Sequence, residues 1–141
     1  MLYEVKESRV GLLKAINYLH SYLELEKLRY GERVKSEINI DGDIDEVEIP
    51  PLIFLPFLEN SFKHGVKMQG DIKVNINFAV RDKFLYFSVE NSLDEHRDSA
   101  PRHGIGIENV KRRLDLLYGK KYKLNTSATD EMFKVSLKLP L

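Results

Sequence analysis

The stretch Pro50-Pro51-Leu-Ile-Phe-Leu-Pro56-Phe-Leu-Glu59-Asn60-Ser-Phe-Lys63-His64-Gly65 restricts the rest of the chain more than any other. Its two opening prolines suit a first helical turn, whose N–H groups have no helical partner in any case. Pro56 then predicts a short turn followed by a clean helix from about Pro56 onward. Gly65 closes the helix, as glycine does just past a helical end. Leu55, Leu58 and Phe62 recur at helical spacing, with Phe54 and Phe57 beside them, so most of this helix must be buried.

Set in that apolar background are Glu59, Asn60, Lys63 and His64. Spacings of three and four residues put Asn60 with Lys63 and His64, and Glu59 with Lys63, on one side of the helix. Burying such groups without partners is costly. Two readings satisfy that cost. One is a Glu59–Lys63 ion pair in the favoured order, worth about 0.3–0.5 kcal/mol. The other is a site for a metal and phosphates: Asn60 gives a neutral oxygen to magnesium, Lys63 a positive charge to a phosphate, and Glu59 a base. Ion pairs on helices are the commoner arrangement, and the residues alone leave both open.

Around this helix the periodicity changes repeatedly. Leu12, Leu13, Ile16, Leu19, Leu23, Leu25 and Leu28 predict an amphipathic helix from Gly11 to Tyr30, and Gly31 stops it. The first ten residues read as the tail of an earlier element. Val34 to Ile40 alternates as a strand, Asp41-Gly42-Asp43 is a turn, and Ile44 to Ile49 is a short edge piece. Ile72, Val74, Ile76, Phe78 and Val80 alternate within a strand from Asp71 to Val80. Arg81-Asp82 turns it into a partner strand from Phe84 to Val89, making a hairpin. Asn91 to His103 is polar, contains Pro101 and reads as a loop. Ile107, Val110, Leu114 and Leu117 mark a helix from Ile105 to Tyr118, ended by Gly119, and strands at Tyr122–Thr126 and Met132–Leu139 complete the chain. This order predicts a mixed, mostly antiparallel sheet with helices on one face, an α+β two-layer sandwich, and not a doubly wound parallel sheet.

At 141 residues, 43% hydrophobic and 31% charged, the chain is long enough for one domain with a true core. Its formal net charge of +0 gives no global field for nucleic acid, so an anion site must be local. Without cysteine there is no disulfide framework and no thiolate metal site. The sequence shows no apolar run long enough to span a membrane and no signal-peptide pattern.

His103-Gly104-Ile105-Gly106-Ile107-Glu108-Asn109 runs from the polar loop straight into a helix. Glycines there let the backbone approach an anion, and the free N–H groups of a helix start attract phosphate, although a lone Gly-x-Gly also serves plain loop geometry. Asn91, where the second hairpin strand ends, is either a turn residue or a carboxamide able to read a purine edge. Lys111, Arg112 and Arg113 are either phosphate contacts or a solvated helix face.

Taken together, these residues resemble the ATP-binding end of a sensor histidine kinase of the LytS/YehU-like subfamily. Leu58-Glu59-Asn60-Ser61-Phe62-Lys63-His64-Gly65 is similar to that family's N box. Gly104-Ile105-Gly106-Ile107-Glu108-Asn109-Val110-Lys111-Arg112-Arg113-Leu114 is similar to its second glycine box. The segment from Tyr22 to Tyr30 resembles the one joining the family's dimerisation helices to its catalytic domain. On that resemblance, residues 1–32 are the end of the dimerisation and linker segment and 33–141 the catalytic ATP-binding domain, with a GHKL (Bergerat) fold.

The resemblance implies a protein-histidine kinase with Mg2+ and ATP as cofactors. Asn60 would ligate magnesium, Glu59 would assist phosphoryl transfer, and Lys63 and His64 would face the phosphates. Asn60, Lys63, His64, Asn91, Gly104, Ile105, Gly106 and Asn109 would bind ATP, under a lid formed by the loop from Ser92 to His103. The phosphoacceptor histidine would lie upstream of Met1, since His20 does not sit in the family's motif. The implied partners are a response regulator and, at full length, a second copy of the kinase. The implied setting is a cytoplasmic domain of a membrane-anchored bacterial protein, touching the membrane only through upstream segments. Two departures stand out: Val89-Glu90-Asn91-Ser92 replaces the family's aspartate-and-glycine box, and Asp130-Glu131-Met132 replaces a late Gly-Thr. They keep open an alternative, a regulatory module on the same fold with a degenerate nucleotide site.

Overall fold

Period-two alternation builds the centre of the molecule. In the computed structural model, which describes residues 9–65, 70–93 and 105–141, the elements in chain order are β1 (Val10–Gly11), α1 (Leu12–Tyr30), β2 (Val34–Asp41), β3 (Glu48–Ile49), α2 (Leu55–Gly65), β4 (Ile72–Arg81), β5 (Phe84–Ser92), α3 (Ile105–Tyr118), β6 (Lys123–Ala128) and β7 (Met132–Pro140). The main sheet is five-stranded in the order β2-β4-β5-β7-β6. β2 runs parallel to β4, and every other pairing is antiparallel. A parallel neighbour needs a crossover, and the chain between β2 and β4 supplies one that contains α2. The fold is thus the expected mixed, mostly antiparallel α+β sandwich.

Alternation gives the sheet one apolar and one polar face. Ile72, Val74, Ile76 and Phe78 of β4, Leu85, Phe87 and Val89 of β5, and Phe133, Val135, Leu137 and Leu139 of β7 are all buried. α2 packs on β4 and β5, α1 on β2, and α3 on α2. Between helix and sheet an aromatic cluster locks the layers: the Phe54 ring centre lies 4.6 Å from Phe87 and 5.1 Å from Phe78, and Phe57 lies 5.8 Å from Phe87. α1 joins the same core through Leu12, Ile16, Leu19 and Leu23. On the opposite face Asn39 donates to Asn77 at 3.0 Å and Asn77 to Ser88 at 3.4 Å, a polar rung across three strands.

The turns follow their chemistry. Gly42 has φ +93, and a Cβ there would meet the Val80 carbonyl oxygen at 2.5 Å, so only glycine lets the chain leave β2 against the end of β4. Gly119, at φ +59, ends α3 with its N–H donated to the Asp115 carbonyl at 2.9 Å.

Three expectations need correction. The Ile44–Ile49 piece does not edge the main sheet; only Glu48–Ile49 is strand, paired with β1 in a separate two-stranded ladder. β5 continues past Val89 to Ser92, because Asn91 and Ser92 still pair with Phe133 and Met132. A lid therefore cannot begin at Ser92, which is buried in the strand; the next residue, Leu93, is tied by its N–H to the Glu131 carbonyl at 2.7 Å. The remainder of that loop, Gly104 and the expected N-terminal tail from Met1 to Ser8 lie outside the described residues. No helix of the described residues is long and apolar enough to cross a membrane.

Candidate functional site

α2 forms where the sequence places it: the Phe57 and Leu58 N–H groups turn back onto the Phe54 carbonyl, and the helix runs from Leu55 to Gly65. Phe57, Leu58, Ser61 and Phe62 are buried, and the Ser61 hydroxyl is satisfied by donating to the Phe57 carbonyl at 3.1 Å. Asn60 is only 7% exposed, yet its carboxamide makes no hydrogen bond to a described residue. Glu59 and Lys63 are exposed, and no ion pair joins them. The commoner explanation of this polar set, an intrahelical pair, is not what the helix uses. His64 belongs to α2, but its side chain lies outside the described residues.

β5 brings in Asn91. It stands opposite Val74 on one side and Phe133 on the other, and is 1% exposed. Its Nδ2 donates to the Ser92 carbonyl at 3.1 Å, while its buried Oδ1 accepts no hydrogen bond from a described residue. An unsatisfied buried acceptor costs about 1–3 kcal/mol, so a folded chain keeps one only where something else supplies the donor. The neighbouring Ser92 hydroxyl has its partner: it accepts the Lys73 N–H at 3.0 Å.

α3 starts at Ile105 and Gly106 and is anchored by Ile107, Val110 and Leu114, while Asn109 is exposed. Its first-turn N–H groups are free of helical partners, as at any helix start. The elements carrying Glu59, Asn60 and Lys63, Asn91, and Ile105, Gly106 and Asn109 therefore adjoin, α2 touching both β5 and α3.

Sequence reasoning missed two neighbours of this set on α1. The half-buried Tyr22 meets Phe62 edge to face, with ring centres 5.9 Å apart at 73°. Burial first, then the negative charges of Glu26 and Glu59, raise the Tyr22 hydroxyl well above the usual tyrosine range. Glu26 is 7% exposed, with Arg29 at 3.8 Å. The available signal was spacing: Glu26 takes the next position of the buried stripe Leu12, Ile16, Leu19 and Leu23.

The donor set suits magnesium held by one side chain and by substrate phosphates. Magnesium prefers one or two protein oxygens together with phosphate oxygens to an all-protein cage. Asn60 offers such an oxygen, and among the described residues no group of three or more His, Asp or Glu is placed to hold a metal.

The fold that this site is built on is that of histidine kinase catalytic domains. The catalytic domain of the histidine kinase ThkA superposes with a TM-score of 0.67 at 15% identity, covering 94% of this chain and 95% of that one. The histidine kinase ThkA in complex with the response regulator protein TrrA matches with a TM-score of 0.61 at 11% identity, over 94% of this chain and 41% of that one. In sequence, the chain is 29% identical over 146 residues to the sensor protein LytS of Bacillus subtilis (strain 168), covering 94% of this chain and 25% of that protein. It is 25% identical over 133 residues to the sensor histidine kinase BtsS of Escherichia coli (strain K12), covering 93% and 24%. The chain is thus similar to the sensor protein LytS and the sensor histidine kinase BtsS, and spans about a quarter of the length of each. No protein-family model matches it.

Proposed function

We propose that this chain is the ATP-binding and catalytic part of a sensor histidine kinase, which binds Mg-ATP among α2, β5 and α3 and passes the γ-phosphoryl to a histidine upstream. The observation that carries the reading is the buried, orphaned Oδ1 of Asn91. An adenine amino group is a donor of the kind that oxygen lacks, and on the family resemblance the amide oxygen stands in for the family's aspartate. A plain turn residue would not be 1% exposed within a strand.

The other residues divide the triphosphate among them. Asn60 presents its oxygen to the cation, and magnesium, when bound, neutralises charge developing on the phosphates. Lys63, which makes no ion pair among the described residues, gives its charge to a phosphate. On the family resemblance His64 and the N–H groups at Gly104, Ile105 and Gly106 take the remaining phosphate oxygens, with Asn109 further along the helix. Glu59 orients the accepting group. Catalysis then consists of positioning and charge neutralisation, which suits a transferred phosphoryl that requires little covalent chemistry from the protein. A response regulator receives the phosphoryl from the whole kinase, acting as a dimer, and the leading helix continues the upstream segment that carries the acceptor.

The test is thermal unfolding with and without Mg-ATP. At a hundred times the dissociation constant, ligand adds about 2.7 kcal/mol to stability. Asn60→Ala should fold, lose that gain and, in a longer chain bearing the upstream histidine, lose labelling from γ-labelled ATP. No shift at millimolar nucleotide would replace the kinase reading with the degenerate module. Unchanged labelling of Asn60→Ala would remove that residue from its role.

A further inference from the structure

β6 ends the sheet, so the backbone groups on its outer side pair with no strand of the described chain. The two edges of this sheet are guarded differently. β2 carries Lys35, Glu37 and Asp41, the last bridged to Arg81 at 2.8 Å, charges of the sort that keep a sheet edge from pairing. β6 has 6 residues, Lys-Leu-Asn-Thr-Ser-Ala, with no proline and Lys123 as its sole charge.

Beside β6, on the helix side, lies a groove of about 410 Å3 between that strand and α3. Ile107 and Leu124 give it apolar walls, and Thr126 continues the strand side. Lys111 and Arg112 line it from α3, and neither has an ion pair or hydrogen bond among the described residues. Of its acids, Asp115 is taken by the Tyr122 hydroxyl at 2.5 Å, which pins the start of the strand to α3, and Glu108 sits one turn nearer the start of the helix. Leu124 and Thr126 share one face of β6, so a strand added alongside would send alternate side chains into this groove.

We propose that the β6 edge docks an extended segment of a partner protein, with an apolar and an acidic residue two positions apart on the groove side. Backbone hydrogen bonds to β6 supply the pairing, the apolar residue meets Ile107 and Leu124, and the carboxylate meets Lys111 and Arg112. Lysine and arginine that pair with no described residue, beside an edge that no described strand covers, select an acidic strand over a basic one. This inference is independent of the nucleotide site.

The experiment uses a fluorescein-labelled Thr-Val-Thr-Glu-Thr-Val peptide, with the glutamate replaced by lysine as control, in anisotropy titrations against the whole chain. Saturable binding is expected for the first peptide, at least tenfold weaker for the control and for the double variant Lys111→Glu/Arg112→Glu. Consecutive N–H groups in a strand point to opposite sides, so Asn125→Pro and Thr126→Pro separate edge from ladder. One should lower the melting temperature by breaking the bond to β7; the other should melt normally and abolish binding. Bound peptide should also slow amide hydrogen exchange in β6 and not in β2. Equal binding of both peptides, binding untouched by the charge reversal, protection confined to β2, or no saturable binding would each overturn the proposal.

Discussion

On the proposed reading, Asn91 brings stability and function into direct conflict. As a structural residue it is poor: one hydrogen bond to Ser92 is set against an acceptor left without a donor. Asn91→Ala removes both, so unliganded stability should change by no more than about 1 kcal/mol in denaturant melts. The gain on adding Mg-ATP should nearly disappear. A structural asparagine would do the reverse, costing stability and leaving the nucleotide shift intact. Tyr122 offers a pH prediction. Burial first, then its hydrogen bond to Asp115, raises its hydroxyl from the ordinary 10.0 to about 12. Because the folded state holds this proton more tightly than the unfolded chain, the contribution is full below about pH 10 and lost as pH rises towards about 12. Melting temperatures of Tyr122→Phe should fall less steeply over that window than those of the unchanged protein. Of these side chains, Asn60, Glu59 and Lys63 stood out in the sequence because they interrupt an apolar helix. The orphaned state of Asn91 did not, since register with Val74 and Phe133 is what buries it. Tyr22 was passed over because its importance comes from Phe62 and Glu59, which only the packing of α1 on α2 brings near, and Glu26 acts on this set only through Tyr22.

Elements set by one period were easy to read, and those set by distant partners were not. α1, α3 and β4 fall within a residue of their periodic runs, because one buried face forces the spacing. The two-residue ladder of β1 and β3 is too short to carry any period. β5 outran its apolar alternation because its ladder with β7 continues through polar Asn91 and Ser92. The hairpin turn itself stores strain: Asp82 and Lys83 have φ of 51° and 69°. Both values belong to the primed turn that matches strand twist, for which Asn-Gly is favoured. A non-glycine residue held left-handed costs roughly 1–2 kcal/mol, part of which glycine returns through its own chain entropy. Lys83→Gly should therefore stabilise the domain by up to about 1 kcal/mol and raise its melting temperature by about 2–4 °C. The bond from the Leu141 N–H to the residue-83 carbonyl, 2.8 Å, uses backbone only and survives the change.

The molecule as a whole sets the conditions under which a small anion reaches the site. Helices cover one face of the sheet, the other face is polar, and the formal charge sums to +0. Such a protein exerts little pull on Mg-ATP from a distance, so on the proposed reading capture depends on groups met at contact: the exposed Lys63, Asn60 and the start of α3. Contacts of that range lie inside the Debye length of about 8 Å at physiological salt and are only partly screened. Stopped-flow association with a fluorescent ATP analogue should therefore slow by less than about threefold from low to physiological salt, where electrostatically steered encounters change by tenfold or more. Lys63→Gln should weaken equilibrium binding while leaving that shallow salt slope in place, because the lysine acts after encounter and not before it. A steep slope in the unchanged protein would mean that the nucleotide is drawn in along a basic surface, and would move the phosphate contact away from α2 towards Lys111 and Arg112.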